Sequence, residues 1–158
     1  MDLVTPSSGM YKTLLSMAEL LATSRSKDPK TKVGAVIYDK YNGGTYFGYN
    51  GLPRNFPDLI DIWHESEIAE FDKHSLVIHA EINAMHKALK AGCNLADAIL
   101  LVTHAPCLPC LAQLSNAGLK KVIYKPLGPA MKYCSRLHSF AAKMHMTLCN
   151  FEQLIGDA

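Results

Sequence analysis

Two short stretches of the chain carry side chains whose types and spacing can do chemistry. In Val77-Ile78-His79-Ala80-Glu81-Ile82, a histidine and a glutamate stand two positions apart where an apolar run turns into a helical period. In Ala105-Pro106-Cys107-Leu108-Pro109-Cys110, two cysteines separated by two residues follow a proline. A Cys-x-x-Cys at a helix start lets two thiolates hold one Zn²⁺, and a single histidine nitrogen adds a third ligand. Three protein ligands leave the fourth tetrahedral position open, which is the catalytic arrangement. Both prolines suit the first turn of a helix, and the positive end of its dipole stabilises thiolate against an ordinary pKa of about 8.5. Glu81 is too near His79 in sequence to join it comfortably as a ligand, but it can stand over the open position and carry protons. His79, Cys107 and Cys110 are therefore the candidate ligands, and Glu81 the candidate catalytic acid and base.

Each motif alone has a plainer reading. His-x-Glu arises by chance in many chains, and a lone Cys-x-x-Cys could belong to a structural zinc completed from His79, His86 and His104. No second cysteine pair supports that site, since Cys93, Cys134 and Cys149 follow no ligand spacing and read as core. Together, a His-x-Glu and a later Pro-Cys-x-x-Cys, each at a helix start, form the pattern of zinc-dependent nucleobase deamination.

The elements that must position these residues are legible from hydrophobic period. Thr5-Pro6-Ser7-Ser8 offers cap residues ahead of Met10, Leu14, Met17 and Leu21, which predicts an amphipathic helix over 9–24. Val33 to Tyr38 and Thr45 to Tyr49 read as strands joined by hairpin chemistry at Asn42-Gly43-Gly44. From Gly51 to His74 the chain is irregular and polar, and a connection of that length is expected to cover a site. A helix follows from His79, with Ile82, Met85 and Leu89 on one face and Gly92 as terminator, leading into the buried strand Ile99 to Val102. Residues 107–117 predict a second such helix, Lys121 to Tyr124 a strand, Met131 to Met144 a last long helix, and Thr147 to Phe151 a final strand. This order implies one mixed sheet with helices on both faces, a three-layer α/β/α domain.

Composition agrees with one ordinary domain over 1–158: 158 residues, 49% hydrophobic and 19% charged. The formal charge is only +2 and the charged residues are interspersed, so no nucleic-acid surface is expected. No stretch is long and apolar enough for a membrane span, and the start has no charged segment leading into an apolar one, so the expected location is cytoplasmic. The odd count of 5 cysteines, with one close pair, points to metal or catalysis more than to disulfides.

Five blocks in order, "SKDPKTKVGAVI" (Ser26 to Ile37), "GYNGLPR" (Gly48 to Arg54), "HAEINA" (His79 to Ala84), "APCLPC" (Ala105 to Cys110) and "GLKKVIY" (Gly118 to Tyr124), resemble the deoxycytidylate (dCMP) deaminases of the cytidine deaminase superfamily. That resemblance implies zinc on His79, Cys107 and Cys110, with Glu81 as proton shuttle. It also implies a five-stranded mixed sheet, conversion of dCMP to dUMP and ammonia, commonly a homohexamer, and often activation by dCTP with inhibition by dTTP.

Substrate contacts are less local. The resemblance makes Asn50 a ligand of sugar and base, although in its Tyr-Asn-Gly turn it could simply take a left-handed conformation. Arg25, Lys27 and Lys32 lie near the junction of the first helix and strand, where a phosphate could be held, and Lys27 is favoured over a plain solvated role. Thr103 at a strand end, with Ala80, Ala105 and Pro106 beside the ligands, completes the expected contact set. Asn83 could instead cap its helix. Ala105 is smaller than the usual residue before Pro-Cys, so a 5-substituted dCMP is an alternative substrate, beside dCTP and free cytidine or deoxycytidine. Tyr133 or Arg136 could reach the phosphate. The segment from Pro53 to His74 has no cysteine, and no second metal is expected. A tRNA adenosine deaminase would carry Glu-Pro-Cys and a more basic surface, and a binding module would have lost Glu81 or a ligand.

Overall fold

A computed structural model of the chain describes residues 6–57, 63 and 73–156. Helix α1, Ser8–Arg25, starts where the Ser7 hydroxyl accepts a hydrogen bond from the Met10 N–H. Its buried face is Tyr11, Leu14, Leu15, Ala18 and Ala22. Of the expected stripe Leu14 is buried and Met17 and Leu21 pack partly buried against the same core, whereas Met10 is exposed and Tyr11, Leu15, Ala18 and Ala22 widen the buried face.

Strands β1, Gly34–Asp39, and β2, Thr45–Tyr49, form the predicted hairpin, with Ile37 opposite Tyr46 and Ala35 opposite Gly48. At the turn Gly43 has a φ of 74°, and the Asn42 side chain accepts from the Gly44 N–H. After the described part of the long connection comes a short helix, α2, Lys73–Leu76; the rest of that segment, and most of what was expected to cover a site, lies outside the described residues. Then come α3, Ala80–Lys90, β3, Ala98–Val102, α4, Leu108–Asn116, β4, Lys121–Tyr124, α5, Cys134–Lys143, β5, Thr147–Asn150, and α6, Phe151–Gly156.

The five strands lie in the order β2-β1-β3-β4-β5. β1 runs antiparallel to both β2 and β3, whereas β3, β4 and β5 are parallel, each reached by a helical crossover. Period two along the strands feeds two cores. In β3, Ala98, Leu100 and Val102 face a cluster built with α3, α4 and α5, including Met85, Leu111, Leu114 and Leu137. Ile99 and Leu101 face the other cluster, with Leu14, Leu15 and Phe151. A strand buried on both faces reads as an unbroken apolar run, as this one does. The expected three-layer α/β/α arrangement with a mixed five-stranded sheet is the fold observed.

Three details differ from the expectation. Leu89 was placed on the buried face of α3 but is exposed, since the core-facing stripe passes through Ala84, Met85 and Ala88 instead. The last long helix is divided: residues 129–133 form a 3₁₀ turn behind Pro129, and α5 begins only at Cys134. Phe151 is not the end of the final strand but the start of α6, where the Asn150 side chain accepts from the Glu152 N–H.

Candidate active site

Both chemical motifs sit at helix starts on the same side of the sheet. His79 is the N-cap of α3, with an extended φ of −67° and ψ of 151°, and its side chain makes no capping bond. Its ring turns instead toward the start of α4, where Nδ1 lies 3.5 Å from Cys107 Sγ and 3.2 Å from Cys110 Sγ. Cys107 is itself the N-cap of α4, and its sulfur accepts from the Cys110 N–H at 3.4 Å. Pro109 lies in the first turn as expected, whereas Pro106 precedes the cap. The three donor atoms lie within 4.8 Å of one another, and this is the one such cluster among the described residues. One imidazole and two sulfurs at two converging helix N-termini suit zinc in donor type, number and charge.

The electrostatics of the three are linked. The hydrogen bond from the Cys110 thiol, and then the one with His79, hold Cys107 far below the usual thiol range, while the Cys110 thiol is pushed up by giving that bond and by burial. The bond to Cys107 also raises His79. So a thiolate is favoured at Cys107 even before a cation adds its own field.

Glu81 stands in the first turn of α3, 4% exposed and outside the donor cluster. Burial pushes its carboxyl up to about 7, against the opposing pull of its backbone N–H and of His79. A carboxyl poised near neutrality can take and give a proton at little cost. It lines a cavity of about 250 Å³ together with His79, Cys107, Asn50, His104 and Ala105.

α3 is brought this close by Gly48 of β2, where a Cβ would lie 2.1 Å from the Ala80 carbonyl oxygen. The Asn83 side chain adds a tie, donating to the Tyr49 carbonyl at 2.9 Å. Asn83 therefore fastens the helix to the sheet edge instead of capping it.

The expected contact residues divide into those on the cavity and those beside it. Ala80 and Ala105 line it, both buried. Asn50 also lines it, in a nearly filled bonding scheme: Oδ1 accepts from Ser26 Oγ at 2.7 Å and from the Val33 N–H at 2.9 Å, and Nδ2 donates to the Thr31 carbonyl at 2.7 Å. Two lone pairs and one proton are thus committed, and among the described residues the second amide proton has no partner.

Thr103 and Pro106 are buried but do not line the cavity. Thr103 Oγ1 accepts from the Gly34 N–H at 3.1 Å and meets His104 Nδ1 at 3.1 Å. Lys27 is exposed, in an adjoining recess shared with Arg25, Asn50 and Trp63. The Lys32 ammonium donates to the Ser26 carbonyl. Tyr133 and Arg136 border a third recess that meets the cavity at Cys107, Pro129 and Ala130.

Asp28 and His74 were not anticipated on the cavity wall. Asp28 is buried and accepts from the Lys30 and Thr31 N–H groups at 2.9 and 3.1 Å, an Asx turn that the Ser-Lys-Asp-Pro block announces. His104, weighed in the sequence only as a structural ligand, also faces the cavity.

Residues 9–125 match the family described as the cytidine and deoxycytidylate deaminase zinc-binding region. A "Probable deoxycytidylate deaminase" of Drosophila melanogaster is 39% identical over 66% of this chain and 54% of its own length. The deoxycytidylate deaminase of Homo sapiens is 34% identical over 66% of this chain and 58% of its own. The chain thus spans about half the length of the curated relatives it matches. The crystal structure of the dCMP deaminase from cyanophage S-TIM5, in complex with dCMP and dUMP, is similar with a TM-score of 0.72 and 25% identity, over 92% of this chain and 99% of that one. With its zinc-type donor cluster, buried glutamate and mixed sheet, the chain belongs to the cytidine and deoxycytidylate deaminase zinc-binding family.

Proposed function

We propose that this chain, acting as one deaminase unit over 1–158, hydrolyses dCMP to dUMP and ammonia. The observation that carries this reading is the buried Glu81 carboxyl on a nucleoside-sized cavity beside the His79, Cys107 and Cys110 cluster. Those three residues would hold Zn²⁺, which when bound supplies Lewis acidity toward water at the reacting carbon. Glu81 accepts a proton from the attacking water and passes it to the ring nitrogen beside the amine-bearing carbon. It then moves a proton to the departing amine, so that water is consumed and ammonia released. Ala80 and Ala105 wall the base, and Asn50 offers its second amide proton to the sugar or base.

The nucleotide level of the substrate is supported by the names of the relatives and by cations around the cavity, with Lys27 on one side and Arg136, beside Tyr133, on the other. A second reading, a 5-substituted dCMP, is favoured by the small Ala105 on the cavity wall. Control by dCTP and dTTP, a homohexamer and a cytosolic setting belong to the same proposal. Exposed Leu108, Tyr133 and Phe140 fit burial between copies, and no helix among the described residues is long and apolar enough to cross a membrane.

The test is ammonia release by zinc-loaded protein from dCMP, dCTP, 5-methyl-dCMP and deoxycytidine in parallel, with Glu81→Gln as control and dCTP or dTTP added to the dCMP reaction. Turnover of dCMP that disappears in the variant is the expected result. Turnover of 5-methyl-dCMP alone would move the reading to the modified base, and turnover of none would end it.

A further inference from the structure

Thr103 was expected to touch the substrate, yet its hydroxyl does not reach the cavity, and the reason lies in a short chain of hydrogen bonds. The Gly34 N–H of β1 donates to Thr103 Oγ1 at 3.1 Å, and the same oxygen lies 3.1 Å from His104 Nδ1. A hydroxyl that already accepts one N–H still has its own proton to place. Among the described residues the only other partner of that hydroxyl is His104 Nδ1, so the proton goes there and Nδ1 accepts. In a neutral imidazole an accepting Nδ1 puts the ring proton on Nε2.

The ring is also fixed in orientation. Gly128, with a φ of 92°, packs against it so closely that a Cβ there would lie 2.7 Å from His104 Cδ2, and the Ala105 N–H is held by the Leu127 carbonyl at 2.9 Å. With Nδ1 engaged by Thr103 and the Cδ2 edge against Gly128, the far end of the ring is what His104 contributes to the cavity it lines. Burial, and secondly the Lys125 charge, hold its pKa below the ordinary value, which keeps the ring neutral.

We propose that Thr103 holds His104 in its Nε2–H form, so that His104 presents a neutral hydrogen-bond donor to an oxygen of the bound nucleotide, and that Thr103 acts only through it. This rests on the deaminase reading. Asp28 and Glu81 line the same cavity, and among the described residues one Asn50 amide proton has no partner; a further neutral donor on this wall suits a cytosine nucleotide, whose base carbonyl, sugar and phosphate are all oxygen acceptors. His104 is then a specificity-determining contact, and Thr103 a positioning residue.

The experiment combines ring ¹⁵N shifts of His104 in the zinc-loaded protein with steady-state kinetics on dCMP. Wild type should show the Nε2–H form. His104→Leu should raise KM about 3- to 10-fold with a smaller change in kcat, as for one neutral hydrogen bond, and His104→Gln, which keeps an N–H at similar reach, should recover most of it. Thr103→Val should shift the ring toward the Nδ1–H form and raise KM, Thr103→Ser should restore both, and Thr103→Val should add nothing to KM in the His104→Leu background. A purely structural Thr103 would lower the melting temperature without moving the tautomer or KM, and that result overturns the proposal. An Nδ1–H ring in wild type, or an unchanged KM in His104→Leu, overturns it as well. If wild type releases no ammonia from any cytosine nucleotide, the deaminase reading fails first, and the inference stands or falls on the tautomer alone.

Discussion

The two ends of the cavity are built in different ways. At the metal end, four chemical groups come from two stretches of three and four residues, and each stretch is the start of a helix. The N-cap geometry that begins α3 frees the His79 ring, and the N-cap that begins α4 aims the Cys107 sulfur. At the other end, Asp28 and Thr31, Asn50, His104 and Ala130 come from four separate segments, and they are held by bonds that cross between segments, such as Asn50 to Val33 and Thr103 to Gly34. Chemistry at the first end follows from local backbone geometry. The second end depends on the tertiary arrangement, so damage should spread differently from the two.

The largest effect is expected at the metal end. Cys110→Ser should abolish zinc binding, read by metal content after gel filtration, and activity with it, while the fold persists by circular dichroism because the two core clusters do not depend on the metal. Glu81→Gln should separate chemistry from binding: zinc stays, and kcat falls by about 10²–10⁴-fold or more.

Glu81 also carries a stability signature. Its pKa is raised on folding from the ordinary 4.5 to about 7, so folding favours the protonated acid. The associated stability is fully present below pH 4.5 and is lost as pH rises through about 7, a penalty of about 3 kcal/mol at most. Zinc-free Glu81→Gln should therefore be more stable than zinc-free wild type at pH 8, and the advantage should vanish below pH 4.5. Urea titrations at the two pH values measure it, and equal stability at both would show that the carboxyl is hydrated.

Next in size is Gly48→Ala, which sets a Cβ against the Ala80 carbonyl and must push α3 away from β2. A loss of about 1–3 kcal/mol is expected, with weaker zinc affinity because His79 moves with the helix. This variant tests how local the metal end is: unchanged zinc affinity would mean that the two helix starts adjust without the sheet.

Asn50→Ala probes the assembled end. It leaves the buried Ser26 hydroxyl and Val33 N–H without their acceptor, an expected cost of about 1–3 kcal/mol by thermal melt, with a raised KM and zinc content unaltered. The smallest effect should come from Lys125→Ala, which removes the 2.6 Å ion pair with Glu19 joining α1 to the segment after β4. Both side chains are partly exposed, so about 1 kcal/mol or less is expected, diminishing in high salt.

The same division explains what could be read in advance. His79, Cys107 and Cys110 are legible because the spacing that makes a helix start also makes the donor set, Glu81 because it falls in the first turn behind His79, and β3 because a strand buried on both faces leaves an unbroken apolar run. On α1 only Met10 departs from the expected face, because Tyr11 heads a neighbouring apolar row and takes its place against the packed sheet. Leu89 failed for the same reason. α6 was hidden because its one strong signal, the Asn150 cap, lies at the end of a strand, where it looks like a turn residue.

The layer order, the mixed sheet and the His79, Cys107 and Cys110 donor cluster could all be read ahead of folding, because they rest on periods and spacings within a few residues. It took the folded chain to show that one Asn50 amide proton has no partner among the described residues, that Thr103 faces Gly34 while His104 faces the cavity, and that Asp28 joins the wall. Those assignments depend on which distant backbone groups consume a side chain's bonding capacity, and that accounting closes only when the chain is folded.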